Sequence, residues 1–251
     1  MKIKYVFTIV TVCYNAESEI EETIKSVLSQ SYTDFEYIIV DGKSSDGTLS
    51  IIQEYENQGI KYISETDRGI YDAMNKGIRL SHGQYILFMN AGDYFSDENV
   101  LIDLYKFVAF NKNREADVIY GNAIYLASNR SKIGIALPIG SLKYTMIASH
   151  QSTFIKTDIL HKYLFDLQYR YAADYNQISQ LYLDGYRFYH IDRIIAKVAV
   201  EKGTTYNYFV QSKREVLKIL LKRRVPNAYF YFYKEIIRFK IVRFIKRISK
   251  I

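Results

Sequence analysis

Cysteine, proline and tryptophan are nearly or wholly missing from this chain of 251 residues: one, two and none, respectively. A lone thiol, Cys13, excludes a disulfide framework and a thiolate zinc cluster, and it fits a reducing compartment. Two prolines and 12 glycines argue against a disordered or low-complexity chain. No apolar run reaches the ~18 residues that a membrane-spanning helix requires. The stretch from Tyr5 to Val12, behind Lys2 and Lys4, reads as a strand rather than as a secretory leader. These absences lead us to expect a cytoplasmic protein, soluble or peripheral to a membrane. Two phosphate cradles are also lacking: no G-x-G-x-x-G follows the first strand, and no G-x-x-x-x-G-K-[ST] occurs.

A hydrophobic content of 49% supports a sizeable core, and the length suits one large α/β domain or one domain with an appendage. The net charge of +7 hides a division. From Lys213 to Ile251 there are 13 basic residues against Glu215 and Glu235, a net of +11, which leaves residues 1–212 at −4. A mildly acidic body with a basic tail implies two separate jobs.

Apolar runs at 6–12, Phe35–Val40, Ile60–Ser64 and Tyr85–Met89 read as strands. Helical spacing separates them. Ile20, Ile24, Val27 and Leu28 share one face behind Ser18-x-x-Glu21, which has the form of a capping box. Leu49, Ile52 and Tyr55 mark a second helix, and a third runs from about Gly69 to Ser81 with His82-Gly83 as its expected C-cap. Strands alternating with single helices predict parallel βαβ units. Beyond residue 95 the pattern is mixed, with strands expected at Ala116–Leu126 and Tyr186–Asp192 and helices near Val100–Phe110 and Asp174–Asp184. The division expected is a body of 1–212, with a nucleotide-binding half at 1–95 and an acceptor-binding half at 96–212, followed by a tail at 213–251.

Three strands end near an acid: Asp41, Asp67 and Asp93. Open α/β sheets bind ligands beyond the carboxyl ends of their strands. Three carboxylates on one rim therefore suggest a site for a nucleotide and its divalent metal. Without a glycine cradle, a cation at Asp93 would supply the positive charge that a diphosphate needs.

The segments Val10-Thr11-Val12-Cys13-Tyr14-Asn15-Ala16, Ile39-Val40-Asp41-Gly42-Lys43-Ser44-Ser45-Asp46-Gly47-Thr48 and Met89-Asn90-Ala91-Gly92-Asp93 resemble the inverting family 2 glycosyltransferases. Glu65-Thr66-Asp67-Arg68-Gly69-Ile70-Tyr71-Asp72 and the residues on to Gly77 resemble a subgroup that builds bacterial surface polysaccharides. The resemblance is strong over residues 5–95 and weaker over 145–200. It implies the GT-A fold, a Rossmann-like mixed sheet flanked by helices. It also implies a nucleotide-sugar donor, most simply a UDP-sugar, and a saccharide or lipid-linked saccharide acceptor. Residue by residue, it places Thr11 and Tyr14 in the base pocket, with Asp41 accepting the imide N–H of a uracil-like ring. Arg68 would lie near the diphosphate, Asn90 in the nucleotide-binding group, and Asp93 would bind Mn2+ or Mg2+. The commoner pattern has acids where this chain has Asn90 and Gly92. Ser149-His150-Gln151-Ser152-Thr153-Phe154 and Tyr171-Ala172-Ala173-Asp174-Tyr175 resemble the acceptor segment, with His150 and Gln151 on the acceptor side. Asp174 takes the position of the general base, with Asp158 and Asp166 as competitors.

In the tail, Ile237, Ile241, Phe244, Ile245 and Ile248 share one helical face, away from Arg238, Arg243, Lys246, Arg247 and Lys250. A basic amphipathic helix of this kind is expected to lie on the cytoplasmic membrane surface. Nucleic-acid binding and a solvated, dimerising helix are its rivals; the resemblance favours the membrane over nucleic acid, and the oligomeric state stays open. For the whole chain the alternatives are a sugar-1-phosphate nucleotidyltransferase, which would need a Gly-rich N-terminal loop, and a catalytically silent nucleotide- or polyanion-binding protein.

Overall fold

The computed structural model of the protein describes residues 5–110, 116–127, 130–200 and 208–248, with side chains in the last helix as far as residue 241. Over the first ninety residues, β1 (Tyr5–Cys13), β2 (Phe35–Asp41), β3 (Ile60–Ser64) and β4 (Gly83–Phe88) alternate with α1 (Ile20–Leu28), α2 (Thr48–Glu54) and α3 (Ile70–Leu80). β1 pairs in parallel with β2 and β4, and β2 with β3. Their apolar runs are unbroken because helices cover both faces of the sheet. Phe7, Ile9 and Ile39 enter one core with Ile20, Ile24 and Val27 of α1. Val10, Val12 and Val40 enter the other with Met74 and Ile78 of α3.

The second half adds β5 (Tyr94–Phe95), α4 (Val100–Phe110), β6 (Val118–Ala127), β7 (Arg130–Gly134), β8 (Thr153–Lys156), α5 (Thr157–Lys162), α6 (Ala173–Leu183) and β9 (Phe188–Ala199). The sheet order is β3-β2-β1-β4-β8-β6-β9-β5, with β7 forming a hairpin on β6. β8 runs antiparallel to both β4 and β6, so the sheet is mixed from β4 outward. Helices α7 (Phe209–Lys222) and α8 (Ala228–Ile248) follow. Among the described residues no helix is long and apolar enough to cross a membrane.

Three local expectations are corrected. Ser18 does not cap α1: the N–H groups of Glu19 and Ile20 both donate to the Ala16 carbonyl at 2.9 Å, so the chain is already turning before a Ser18 side chain could bond. His82-Gly83 does not close α3. Ser81 is extended at φ −78° and ψ 139°, and Gly83 is the first residue of β4. A Cβ on Gly83 would stand 2.6 Å from the Phe7 carbonyl carbon, so glycine serves strand contact there rather than a helix end. β9 outruns its expected end at Asp192 by seven residues, because beyond an irregularity at Tyr120–Ala123 it still pairs with β6 and then with β5. Helix α7 crosses residues 212–213 without a break and buries Ile219 and Leu220 in the same core as α6.

Candidate active site

The carboxyl ends of β1 and β4 open on a cavity of about 910 Å³. Its far wall is built by the β6–β7 hairpin, the turn at residues 146–152 and the start of α6. Tyr14, Asp67, Asn90, Asp93, His150, Gln151 and Asp174 all line it. The fold thus brings together acids and amides that lie as much as 107 positions apart in sequence.

The β4 end makes a tight turn in which the Asp93 N–H donates to the Asn90 carbonyl at 3.0 Å. Gly92 has φ +88°, a backbone state that glycine adopts without strain. The Asp93 carboxylate is 5% exposed. Its Oδ2 accepts from Gln151 Nε2 at 2.6 Å and its Oδ1 from the Ala199 N–H at 2.9 Å. Burial holds the carboxyl above its ordinary range, with those two hydrogen bonds opposing the shift. Beside it, Asn90 Nδ2 donates to His150 Nε2 at 2.8 Å, while Asn90 Oδ1 is buried and has no hydrogen-bond partner among the described residues.

Asp174 is the second residue of α6 and keeps 23% of its side chain exposed. Oδ1 accepts from the Tyr71 hydroxyl at 3.0 Å and from the Tyr175 N–H at 2.8 Å. Oδ2 accepts no hydrogen bond among the described residues, and His150 Nδ1 stands 3.8 Å from it. Burial and the adjacent Asp174 carboxylate keep the Tyr71 hydroxyl well above its ordinary range, so it remains a donor. The turn before α6 is held from the tail: Glu215 of α7 accepts the N–H groups of Arg170, Tyr171 and Ala172 at 3.0, 2.8 and 3.0 Å.

Asp41, expected to face the base, points into the protein with no exposure. Its carboxylate accepts from the Ser44 N–H at 3.0 Å, the Ser64 hydroxyl at 2.6 Å and the Ser44 hydroxyl, with the Cys13 thiol at 3.7 Å. Its oxygens are satisfied inside the turn. Thr11 is buried in β1, its hydroxyl 3.0 Å from that of Tyr37, and is not on the cavity wall. Asp67 stands in the cavity instead, anchored where its Oδ1 accepts the Gly69 N–H at 2.7 Å. Arg68 is 78% exposed and turned to Asp72, whose carboxylate lies 3.5 Å from its Nε. Tyr14 is 65% exposed at the cavity edge. Of the rival bases, Asp166 accepts the Gln168 N–H at 3.0 Å and Asp158 lies in the first turn of α5; neither lines the cavity. Tyr71 and Glu215 were missed by the sequence reading.

Among the described residues no three His, Cys, Asp or Glu side chains gather into a metal cage. A small hard cation binds instead through one or two carboxylates plus substrate phosphates. The rim turn fits that mode: it offers the Asp93 carboxylate and the side-chain amide oxygen of Asn90, Oδ1, which has no partner among the described residues.

Comparison with known proteins agrees with this fold. The model described as Glycosyl transferase family 2 matches residues 8–165. A PGL/p-HBAD biosynthesis glycosyltransferase of Mycobacterium bovis is 30% identical over 174 residues, 68% of this chain and 67% of the relative. A poly-beta-1,6-N-acetyl-D-glucosamine synthase of Staphylococcus epidermidis is 31% identical over 137 residues, 54% of this chain and 32% of that protein. S. aureus TarS 1-349 in complex with UDP superposes with a TM-score of 0.65 at 19% identity, covering 85% of this chain and 64% of that one. The mannosyltransferase PcManGT of Pyrobaculum calidifontis, in complex with GDP-Man and Mn2+, gives 0.68 at 18% identity, covering 92% and 68%. At these identities the two structures speak to the fold.

Proposed function

This chain belongs to glycosyl transferase family 2 and has the GT-A fold, and from that premise we propose that it moves a sugar from a UDP-sugar to a saccharide or lipid-linked acceptor with inversion at the anomeric carbon. The observation that carries the reading is one cavity with the Asn90–Asp93 turn on one wall and a half-open carboxylate, Asp174, on the other. Binding of UDP by TarS supports the choice of donor, and the named activities of the relatives support cell-surface glycan synthesis as the setting.

Inversion requires attack from the face opposite the leaving group, and hence one base on the acceptor side. Asp174 Oδ2 takes the proton from the acceptor hydroxyl. The acceptor oxygen forms the new bond to the anomeric carbon while the carbon–phosphate-oxygen bond breaks and the nucleoside diphosphate leaves. Tyr71 and the Tyr175 N–H occupy Oδ1, which aims Oδ2 at the cavity. On the donor side the nucleotide base would sit in the part of the cavity that Tyr14 and Asp67 line. Asp93, with the Asn90 side-chain oxygen Oδ1, would hold Mn2+ or Mg2+, which when bound supplies positive charge to the departing diphosphate.

A thermal-shift panel of UDP-, GDP- and dTDP-sugars, with and without Mn2+, tests the donor. Protection should be largest for UDP-sugars, because a ligand stabilises the folded form according to its concentration over Kd. No protection by any nucleotide sugar would reject the reading.

A further inference from the structure

Helix α8 carries two apolar faces. One is pinned to the body: Ala228 is buried, Tyr231 stacks on Tyr144 at 3.8 Å and Phe239 on Phe209 at 4.2 Å, and Glu235 pairs with Lys213 at 3.2 Å. The other faces solvent. Phe230, Tyr233, Ile237 and Ile241, each between 53% and 64% exposed, recur at i, i+3, i+7 and i+11 and form a continuous stripe.

Lys234, Arg238 and Lys240 flank that stripe and are exposed. Among the described residues no carboxylate pairs with them. The two acids of the region are committed elsewhere, Glu235 to Lys213 and Glu215 to the turn before α6. The result is an apolar stripe in an uncompensated basic setting. A second copy of α8 would bring like charge to like charge, which association disfavours. An anionic bilayer meets both features at once, with acyl chains for the aromatic and aliphatic side chains and negative headgroups for the lysines and arginine.

Position adds the link to chemistry. Phe209, on which Phe239 stacks, lines the cavity, and so does Tyr171, on which Tyr208 stacks. Ile135 and Leu137 on the same cavity wall are apolar and exposed. We propose that α8 docks on an anionic lipid surface and brings the cavity mouth to the leaflet, where an acceptor carried on a lipid reaches Asp174. The acceptor clause rests on the transferase reading; the docking clause does not.

Flotation of the full chain with vesicles of phosphatidylcholine alone, or mixed with phosphatidylglycerol, is the test. Binding is expected only with the anionic vesicles. It should weaken on the order of a hundredfold when Lys234, Arg238 and Lys240 all become serine, and vanish in Ile237→Glu/Ile241→Glu. Both variants alter exposed side chains, so their melting temperature and their protection by UDP should match the parent. UDP protection on the same samples reports the transferase reading independently of flotation. Equal binding to neutral vesicles, no binding to either, or binding unchanged in both variants would overturn the proposal. So would a dimer in solution that Ile237→Glu/Ile241→Glu disperses, since the stripe would then be a protein interface.

Discussion

Asp41 and Asp174 are both acids that the sequence offers to a ligand, and the fold treats them in opposite ways. Asp41 ends β2, and the loop that follows returns a backbone N–H and the Ser44 hydroxyl to it, with the Ser64 hydroxyl closing from the end of β3. Asp174 opens α6, gives one oxygen to Tyr71 and the Tyr175 N–H, and leaves the other toward the cavity. A carboxylate at a sheet rim is a product of topology. Whether such a carboxylate can take up a proton from a substrate depends on how many donors its own neighbourhood returns to it.

The largest effect should come from removing the open oxygen's basicity. Asp174→Asn is expected to lower turnover by roughly 10²–10⁴-fold while leaving UDP protection intact. Near-normal turnover would erase the contrast. Asp41→Ala should behave in reverse, losing about 1–3 kcal/mol of stability in a urea titration because several buried donors lose their acceptor, with turnover per folded molecule little changed. If that variant kept its stability and lost donor binding, Asp41 would be a ligand group after all.

Glu215 sharpens the comparison because it acts on Asp174 only through the turn at 170–172. Glu215→Ala should lower kcat about tenfold, a rise of about 1.4 kcal/mol in the barrier, with donor KM unchanged. Glu215→Gln, which keeps an acceptor oxygen, should recover part of that. A purely structural role would lower the melting temperature and leave kcat per folded molecule alone.

The smallest effect is a control on the same strand as Asp41. Glu36 is 3% exposed and accepts from Thr8, Lys61 and the His82 N–H. Burial pushes its pKa up, but those hydrogen bonds more than reverse the shift and hold it below the ordinary range. Its contribution is therefore present at neutral pH and lost as pH falls through the folded-state value. Glu36→Gln should cost about 1 kcal/mol at neutral pH, and the difference from the parent should shrink in acid, as read by urea titrations at several pH values.

The first four strands and α3 were legible because apolar runs and helical spacing are local signals. The role of Asp41 was not, since Ser64 arrives from 23 positions away. The spacing Asp41-x-x-Ser44 was nonetheless visible and is a turn signature in which an Asp side chain bonds its own backbone. Tyr71 stands in the segment that resembles the polysaccharide subgroup, but its hydrogen bond to Asp174 spans 103 positions and leaves no local trace. Glu215 was counted only as a charge opposing the basic tail, because nothing in periodicity says that α7 turns back to the start of α6. His150 and Gln151 were recognisable only through the resemblance, which did not say that one would meet Asn90 and the other Asp93.

Those last two residues are successive links in a single short 3-10 turn, His150–Ser152. One reaches across to Asn90 and toward Asp174, and the other grips Asp93. Their spacing is one peptide unit and cannot be adjusted by side-chain motion. Anyone grafting a foreign acceptor loop onto this scaffold must therefore splice upstream of the turn, because a single inserted residue between it and β8 would misalign both walls together.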